Sequence, residues 1–209
     1  MIDAYIRRQM NDPYCKLARE HSYRARSAFK LLELNEKFKI FKVGDIVLDV
    51  GAAPGSWCQV ASQLVNTPEN PKLGYILGID LQTILPLEGV ELLSQADITH
   101  RTTHIEIRKR LNDRKINVLM SDMAPNASGV HECDHERIIR LCRTVFNLTQ
   151  GERPILPLAE NGKFICKVFD GHHRADFIKE LRANFTRVKS FKPNTSRDES
   201  TEFYVFCQK

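Results

Sequence analysis

Val47-Leu48-Asp49-Val50-Gly51-Ala52-Ala53-Pro54-Gly55-Ser56-Trp57 is the stretch whose reading decides the fold. A short apolar run meets two glycines, and a helical pattern follows. That order reads as strand, tight turn, helix. Glycine has no Cβ, so such a turn lets backbone N–H groups and a helix N-terminus come close to a ligand. The phosphate-loop pattern G-x-x-x-x-G-K-[ST] is absent, and so is G-x-G-x-x-G. What remains is D-x-G-x-x-x-G, a nucleotide-type turn with an acid ahead of its first glycine. An ordinary βα turn carries the same local signature, so the turn alone leaves both readings open.

Outward from the turn, strand-like and helix-like segments alternate. Strands are expected at Asp45–Val50, Gly74–Asp80, Val90–Ala96, Ile116–Asp122, Lys163–Phe169, Arg187–Phe191 and Phe203–Cys207. Helices are expected at Ser56–Val65, around Ile105–Leu111, and at Asp134–Leu148 and Ala175–Phe185. A leading helix is expected from an N-cap at Ser22 to about Phe38, with Ala25, Ala28, Phe29 and Leu32 as its apolar stripe. Residues 1–21 read as a basic arm or short leading helix, with Asp12-Pro13 breaking any helix. Alternation of this kind implies an α/β, Rossmann-like fold: seven strands, mostly parallel, with helices on both faces. Only the loop Lys192–Thr201 joins the last two strands, so one of them should run antiparallel. No repeat or low-complexity tract is visible, and a single domain over 1–209 is expected.

Composition excludes several classes. The chain has 209 residues and 42% hydrophobic content, enough for one full core. It contains no run of eighteen apolar residues, so no membrane span is expected. A net charge of +5 hints at a polyanionic partner. Cys15, Cys58, Cys133, Cys142, Cys166 and Cys207 form no C-x-x-C pair, so zinc is not expected and a reducing compartment is. Met1–Met10 has arginines but no apolar signal-peptide core.

Ligands of parallel sheets bind beyond the carboxyl ends of the strands. Acids stand there at Asp49, Asp80, Asp97 and Asp122, and Lys167 and Asp170 stand near the end of the fifth strand. Asp80 can accept from ribose hydroxyls, and Asp97 from an adenine amino group. A lone acid at a strand end is usually a solvated cap; three around a glycine turn argue for a site. No lysine or arginine sits in the turn. That favours an adenosine ligand without phosphates, such as S-adenosylmethionine (SAM), over a dinucleotide.

The stretches SYRARSAFKLLELNEKF, DVGAAPGSWCQV, GIDL, SDMAPNASG, KVF and SRDESTEFY, in this order and spacing, resemble the FtsJ/RrmJ-type ribosomal RNA ribose 2′-O-methyltransferases from about Asp12 to Cys207. Within that family, ILGIDLQTILPLEGV and MAPNASGVHECDHERIIRLC are most similar to the mitochondrial members that methylate a uridine of large-subunit rRNA. The resemblance implies a catalytic tetrad of Lys30, Asp122, Lys167 and Glu202. It implies cofactor contacts at Gly51, Ala52, Ala53, Pro54, Gly55, Ser56, Trp57, Asp80, Leu81, Asp97, Ile98 and Asp122, with SAM as donor and S-adenosyl-L-homocysteine as product. It departs from the family at LPLAENGKF, where Asn161-Gly162 stands in for a Pro-Gly-Gly turn. His172 and His173, after Lys167, receive no role. Singly, Lys30 reads as a solvated helix lysine, Lys167 as a strand-end charge and Glu202 as a cross-strand partner. Only the joint match makes them a site.

The implied reaction is in-line methyl transfer to a ribose 2′-hydroxyl of large-subunit rRNA, or of its assembly intermediate, in the mitochondrial matrix. It needs alignment and charge control and no metal. Lys167 either takes the hydroxyl proton when neutral or, as a cation, orients the oxygen and steadies the charge growing on it. The second is preferred, because making a lysine neutral near pH 7 costs about 4–5 kcal/mol. Arg7, Arg8, Lys16, Arg19, Arg24, Arg26, Lys192 and Arg197 are candidate RNA contacts; any one of them can equally be part of a solvated basic face. A monomer is the default. A tRNA or cap methyltransferase of the same fold, and a SAM-binding assembly factor with dispensable catalysis, are the alternatives.

Overall fold

The computed structural model describes residues 12–124, 131–197 and 200–209. The expectations for Arg7 and Arg8 lie outside them. The elements run α1 (Pro13–Glu20), α2 (Ser27–Phe38), β1 (Ile46–Val50), α3 (Ser56–Val65), β2 (Tyr75–Ile79), β3 (Glu91–Leu93), α4 (Arg101–Leu111), β4 (Ile116–Ser121), α5 (His131–Asn147), β5 (Leu158–Phe169), α6 (Arg174–Arg182), β6 (Arg187–Phe191) and β7 (Glu202–Gln208). The seven strands form one sheet in the order β3-β2-β1-β4-β5-β7-β6. β7 is antiparallel to both neighbours, and the other strands are parallel. The expected architecture is therefore the observed one.

Strand residues alternate between two cores, as the period of two requires. Leu48, Val50, Leu119, Phe164, Cys166, Val168 and Val205 pack with Ile107 of α4, Ile138 of α5 and Phe177 of α6. Val47, Val118, Met120, Ile165, Tyr204 and Phe206 pack with Leu31 and Leu34 of α2 and Val60 of α3. A strand buried on both faces must read as a nearly continuous apolar run, and β1, β4 and β5 do. The parity also sorts the polar ends. Asp49, Asp122, Lys167 and Glu202 continue the series that faces α2 and α3.

Three local expectations fail for physical reasons. Asp12-Pro13 starts a helix rather than breaking one. Asp12 is the N-cap of α1 and accepts from the Tyr14 and Cys15 N–H groups at 3.0 and 3.3 Å, and Pro13 sits where no N–H is needed. Ser22 is not the cap of α2. It lies in the left-handed region, φ 58°, and α2 begins at Ser27. The buried stripe of α2 is accordingly Ala28, Leu31, Leu34 and Phe38, while Phe29 turns toward α1 and packs on Tyr14 and Tyr23. Finally, Asn161-Gly162 is not a turn before β5. β5 starts at Leu158, and those residues sit in a bulge where the pairing slips from Ile116↔Leu158 to Val118↔Lys163.

Asp12 also ties the two ends of the described chain together. Its carboxylate pairs with Arg26, which donates to the Thr195 carbonyl, and lies 3.4 Å from Arg197 Nη2. The Arg26 side chain is largely buried, so losing its partner strands a charge. Asp12→Ala should lower the unfolding free energy by about 3 kcal/mol, through cap and ion pair together. A urea titration checks this, and a shift under 1 kcal/mol would show that the pairing is incidental.

Candidate active site

β1 delivers the chain into the glycine turn at the carboxyl edge of the sheet. Gly51 and Gly55 have φ of 82° and 109°. A Cβ on Gly51 would lie 2.2 Å from Met123 Cγ, and one on Gly55 2.7 Å from Leu87 Cδ1. The turn is thus closed on one side by the segment after β4 and on the other by the segment after β2. Only glycine fits both the dihedrals and the space.

The predicted cofactor residues fall into two groups. Asp80, Leu81, Asp97, Gly51, Ala53 and Pro54 lie at the carboxyl edge of the sheet, whereas Ala52 and Ile98, 4% and 6% exposed, are packed into the two cores. Asp80 Oδ2 accepts from the Ala53 N–H at 2.8 Å and Oδ1 from the Gln82 N–H at 2.7 Å, so this acid holds the turn in shape while keeping lone pairs for another donor. Asp97 accepts from the Thr99 N–H and hydroxyl at 2.8 and 2.7 Å. Those bonds hold its carboxyl below the usual range, the backbone one most strongly, so it is an ionised acceptor at neutral pH. Leu81, 67% exposed, presents an apolar surface beside Asp80. Ser56 and Trp57 form the second group and point inward. The Ser56 hydroxyl is 2.9 Å from that of Ser27; Trp57 is 2% exposed, donates to the Ser27 carbonyl and packs on Tyr204. They hold the turn onto α2 and offer no side-chain face at the mouth.

Asp49 is the unusual member. It is fully buried beneath the turn, and Cys58 Sγ donates to its Oδ2 at 3.2 Å. Its Oδ1 is buried without a hydrogen-bond partner. Burial, reinforced by the charges of Asp122 and Asp80 and opposed by the Cys58 bond, raises its carboxyl to about 7. An orphaned acceptor under a nucleotide-type turn suits a ligand that brings a donor, as the ammonium of an amino acid does.

The four tetrad candidates converge. Register aligns Ser121 with Cys166, Lys167 with Tyr204, and Phe169 with Glu202. Lys167 Nζ donates to the Asp122 carbonyl at 2.7 Å and lies 3.1 Å from Asp122 Oδ1. Lys30, from α2, forms an ion pair with Glu202. Lys167 and Glu202 are 7% and 9% exposed. Between the two pairs stands Tyr204, absent from the sequence-based candidates. It donates to Asp122 Oδ1 at 2.7 Å, and its ring lies 5.9 Å from Lys30 Nζ. Its hydroxyl ionises well above the ordinary range because of burial, with the charges of Asp122 and Glu202 adding, so it stays a donor. The period of two from Glu202 was the signal that could have found it.

The arginines expected to touch RNA are used otherwise. Arg24 donates to the carbonyls of Pro54, Leu85 and Pro86 at 2.9, 2.7 and 2.7 Å, joining the glycine turn to the loop after β2. Arg26 is consumed by Asp12 and Thr195, and Arg197 lies against Asp12. Lys192 is exposed and donates to the Ser200 carbonyl. Lys16 faces Glu20, 3.9 Å away, on the surface of α1. His172 is exposed, and His173 donates its backbone N–H to the buried His135. Among the described residues no cluster of three or more metal-ligating side chains occurs, and no helix is long and apolar enough to cross a membrane.

Comparison with known proteins bears on what this site does. The profile of the FtsJ-like methyltransferases matches residues 23–209. The chain is 48% identical over 207 residues to "rRNA methyltransferase 2, mitochondrial" of Caenorhabditis elegans, covering 99% of this chain and 94% of that one. It is 42% identical over 201 residues to the ribosomal RNA large subunit methyltransferase E of Rickettsia akari, covering 96% and 86%. A solved structure from Plasmodium falciparum, assigned as a ribosomal RNA methyltransferase, superposes with a TM-score of 0.76 at 27% identity, covering 89% of this chain and 97% of that one.

Two measurements test the geometry. Folding raises the Asp49 carboxyl from 3.8 to about 7. The unfolded chain therefore releases this proton first as pH rises, and stability drains away between about pH 4 and 7 and is flat above. Relative to Asp49→Asn, the wild type should lose roughly 4 kcal/mol across that window; parallel profiles would show that Asp49 ionises normally. Arg24→Ala should accelerate amide exchange of residues 52–59 at least about tenfold, since three bonds to carbonyls are lost. Unchanged exchange would mean the clamp carries no stability.

Proposed function

We propose that this chain, which belongs to the FtsJ-like methyltransferase family, methylates the ribose 2′-hydroxyl of a uridine in mitochondrial large-subunit rRNA, with SAM as methyl donor. The observation that carries the reading is the double ion pair at the carboxyl edge, Lys167 with Asp122 and Lys30 with Glu202, standing beside the glycine turn. The printed names of the relatives, mitochondrial in one case and large-subunit in the other, support the substrate and the compartment.

The residues present fit the donor. The orphaned Asp49 Oδ1 suits its ammonium, Asp80 its ribose hydroxyls and Asp97 its adenine amino group, and no cation in the turn asks for phosphate. SAM supplies a methyl group already activated on a sulfonium, so the chain need only align and stabilise.

Lys167 does most of that. Both its contacts are acceptors, the carbonyl and the carboxylate of Asp122, which is the environment of an ammonium. Two donors held by Asp122 leave the third N–H for the ribose oxygen. That bond turns a lone pair toward the methyl group and steadies the negative charge growing on oxygen, while the hydroxyl proton passes to water. Tyr204, bonded to Asp122 Oδ1, fixes the carboxylate that fixes Lys167. Lys30 and Glu202 orient the ribose and balance charge. Desolvated ion pairs are strong and directional here because little water enters.

Lys167→Ala should lower the methylation rate by about 10²–10⁴-fold with cofactor affinity unchanged. Scintillation counting of tritiated methyl transfer and calorimetry of SAM binding check the two halves; near-normal turnover would remove Lys167 from the chemistry. Mapping ribose methylation with and without the active protein tests the substrate. Loss at one uridine of the mitochondrial large-subunit rRNA is expected, whereas a change confined to tRNA would reassign it.

A further inference from the structure

The carboxyl edge of the sheet does not end at the tetrad. Beyond Glu202 it continues as a groove of about 490 Å³ lined by Asp170, Arg174, Lys192 and Phe203, with Glu202 itself on its wall. The cofactor residues lie over β1, β2 and β3, and the tetrad over β4, β5 and β7. The groove lies past them, where β5 and β6 end and β7 begins. A polymer whose ribose rests on Lys167 must leave the site on the side away from the cofactor, and this groove opens there.

Its chemistry selects the part of RNA it can hold. The aromatic faces are already covered, since the Arg174 guanidinium lies 4.1 Å from the centre of the Phe203 ring and Lys37 covers Phe191 at 4.4 Å. Base stacking is therefore not the mode. Two cations line it. Arg174, first residue of α6, is held by Asp170 Oδ1 at 2.9 Å through one nitrogen of its fork. Among the described residues Lys192, just past β6, donates once, to the Ser200 carbonyl at 2.9 Å. Both are tethered and keep further donors.

The loop that carries Asp170 and Arg174 is also fixed from below. Buried His135 of α5 lies 3.1 Å from the Phe169 carbonyl through Nδ1, and its Nε2 accepts the His173 backbone N–H at 3.1 Å. Gly171 crosses this ring so closely that a Cβ would lie 2.5 Å from it. The histidine that receives the loop thus sets where Arg174 stands. The Lys192 side is fixed by Glu33 of α2, which accepts from the Asn194 and Thr195 N–H groups at 2.7 and 2.9 Å.

We propose that Arg174 and Lys192 bind the phosphodiesters adjoining the target ribose, making this groove the exit track of the RNA substrate. This rests on the RNA-methylating reading above and adds the residues that hold the strand. Asp170 works against it: its carboxylate occupies part of Arg174 and repels phosphate, which keeps binding weak enough for release.

The test uses the full chain and an rRNA fragment spanning the methylated position. For R174Q/K192Q, KM for the fragment should rise about 10-fold or more with kcat within about twofold. The slope of log Kd against log salt should fall by about 1.4 for a single strand, two phosphate contacts at roughly 0.7 each. Asp170→Asn should tighten binding severalfold; if the Asp170–Arg174 pair were only structural, that variant would weaken binding or leave it alone. SAM affinity should be unchanged in all variants. Unaltered KM and salt slope overturn the proposal, and so does a fall in kcat with the slope intact, which would mark these residues as props for Glu202. If the wild type binds the fragment through Arg174 and Lys192 yet methylates nothing in it, the groove stands and the proposed reaction falls.

Discussion

The ammonium groups of Lys30 and Lys167 are held almost out of water where α2 meets the carboxyl edge of the sheet. A charge left unpaired there costs several kcal/mol, so each lysine dictates where an acid must be. Lys167 requires Asp122 across the β4–β5 register, and Lys30 requires Glu202 across the gap between α2 and β7. Much of the surrounding construction serves those two demands. β7 is inserted antiparallel between β5 and β6, which brings Glu202 to the edge where β5 ends. Tyr204 fills the space between the pairs with an aromatic body and one hydroxyl, so neither acid is left to solvent. The arrangement is electrostatically expensive, and a desolvated cation acts on a neighbouring charge far more strongly than one in water.

The second theme is the use of arginine as mortar. Arg24 and Arg26 sit two residues apart at the entry to α2, yet they serve different joints. Arg24 gathers three carbonyls from two loops around the cofactor mouth, and Arg26 joins the cap of α1 to the loop between β6 and β7. A guanidinium presents several donors in a rigid plane, so one side chain can satisfy acceptors from segments far apart in sequence. Glu33, one turn beyond Lys30, does the converse by accepting two backbone N–H groups. α2 therefore carries a catalytic candidate on one face and the fasteners of both neighbouring loops at its entry and along its length.

Period and strand ends made the sheet and most of the site readable in advance. Asp49, Asp80, Asp97, Asp122 and Lys167 could be found because a parallel sheet exposes its chemistry at carboxyl ends, and each apolar run stops where its polar residue begins. Glu202 was harder, since β7 is antiparallel and its candidate site residue is its first. What sequence hid were destinations. Nothing local to Arg24 says that its partners are Leu85 and Pro86, some sixty residues away, so a basic cluster read as a surface for RNA was partly internal structure. The resemblance implied a cofactor contact at Trp57, and the helix that starts at Ser56 turns its ring inward. His135 and His173 were opaque for the same reason: their contact spans 38 residues and depends on a glycine lying flat on an imidazole.

The Lys30–Glu202 pair has a consequence for the order in which the molecule becomes competent. Its partners are 172 residues apart, so Lys30 is synthesised long before Glu202. β1 to β4 can assemble and form the glycine turn while β7 is still being made. A chain in which β7 has not yet formed would hold the glycine turn and the Lys167–Asp122 pair without the Lys30–Glu202 pair. The loop closure that delivers Glu202 is the slow, non-local kind. The two ion pairs are therefore complete only once β7 has joined the sheet, later than the glycine turn that stands beside them.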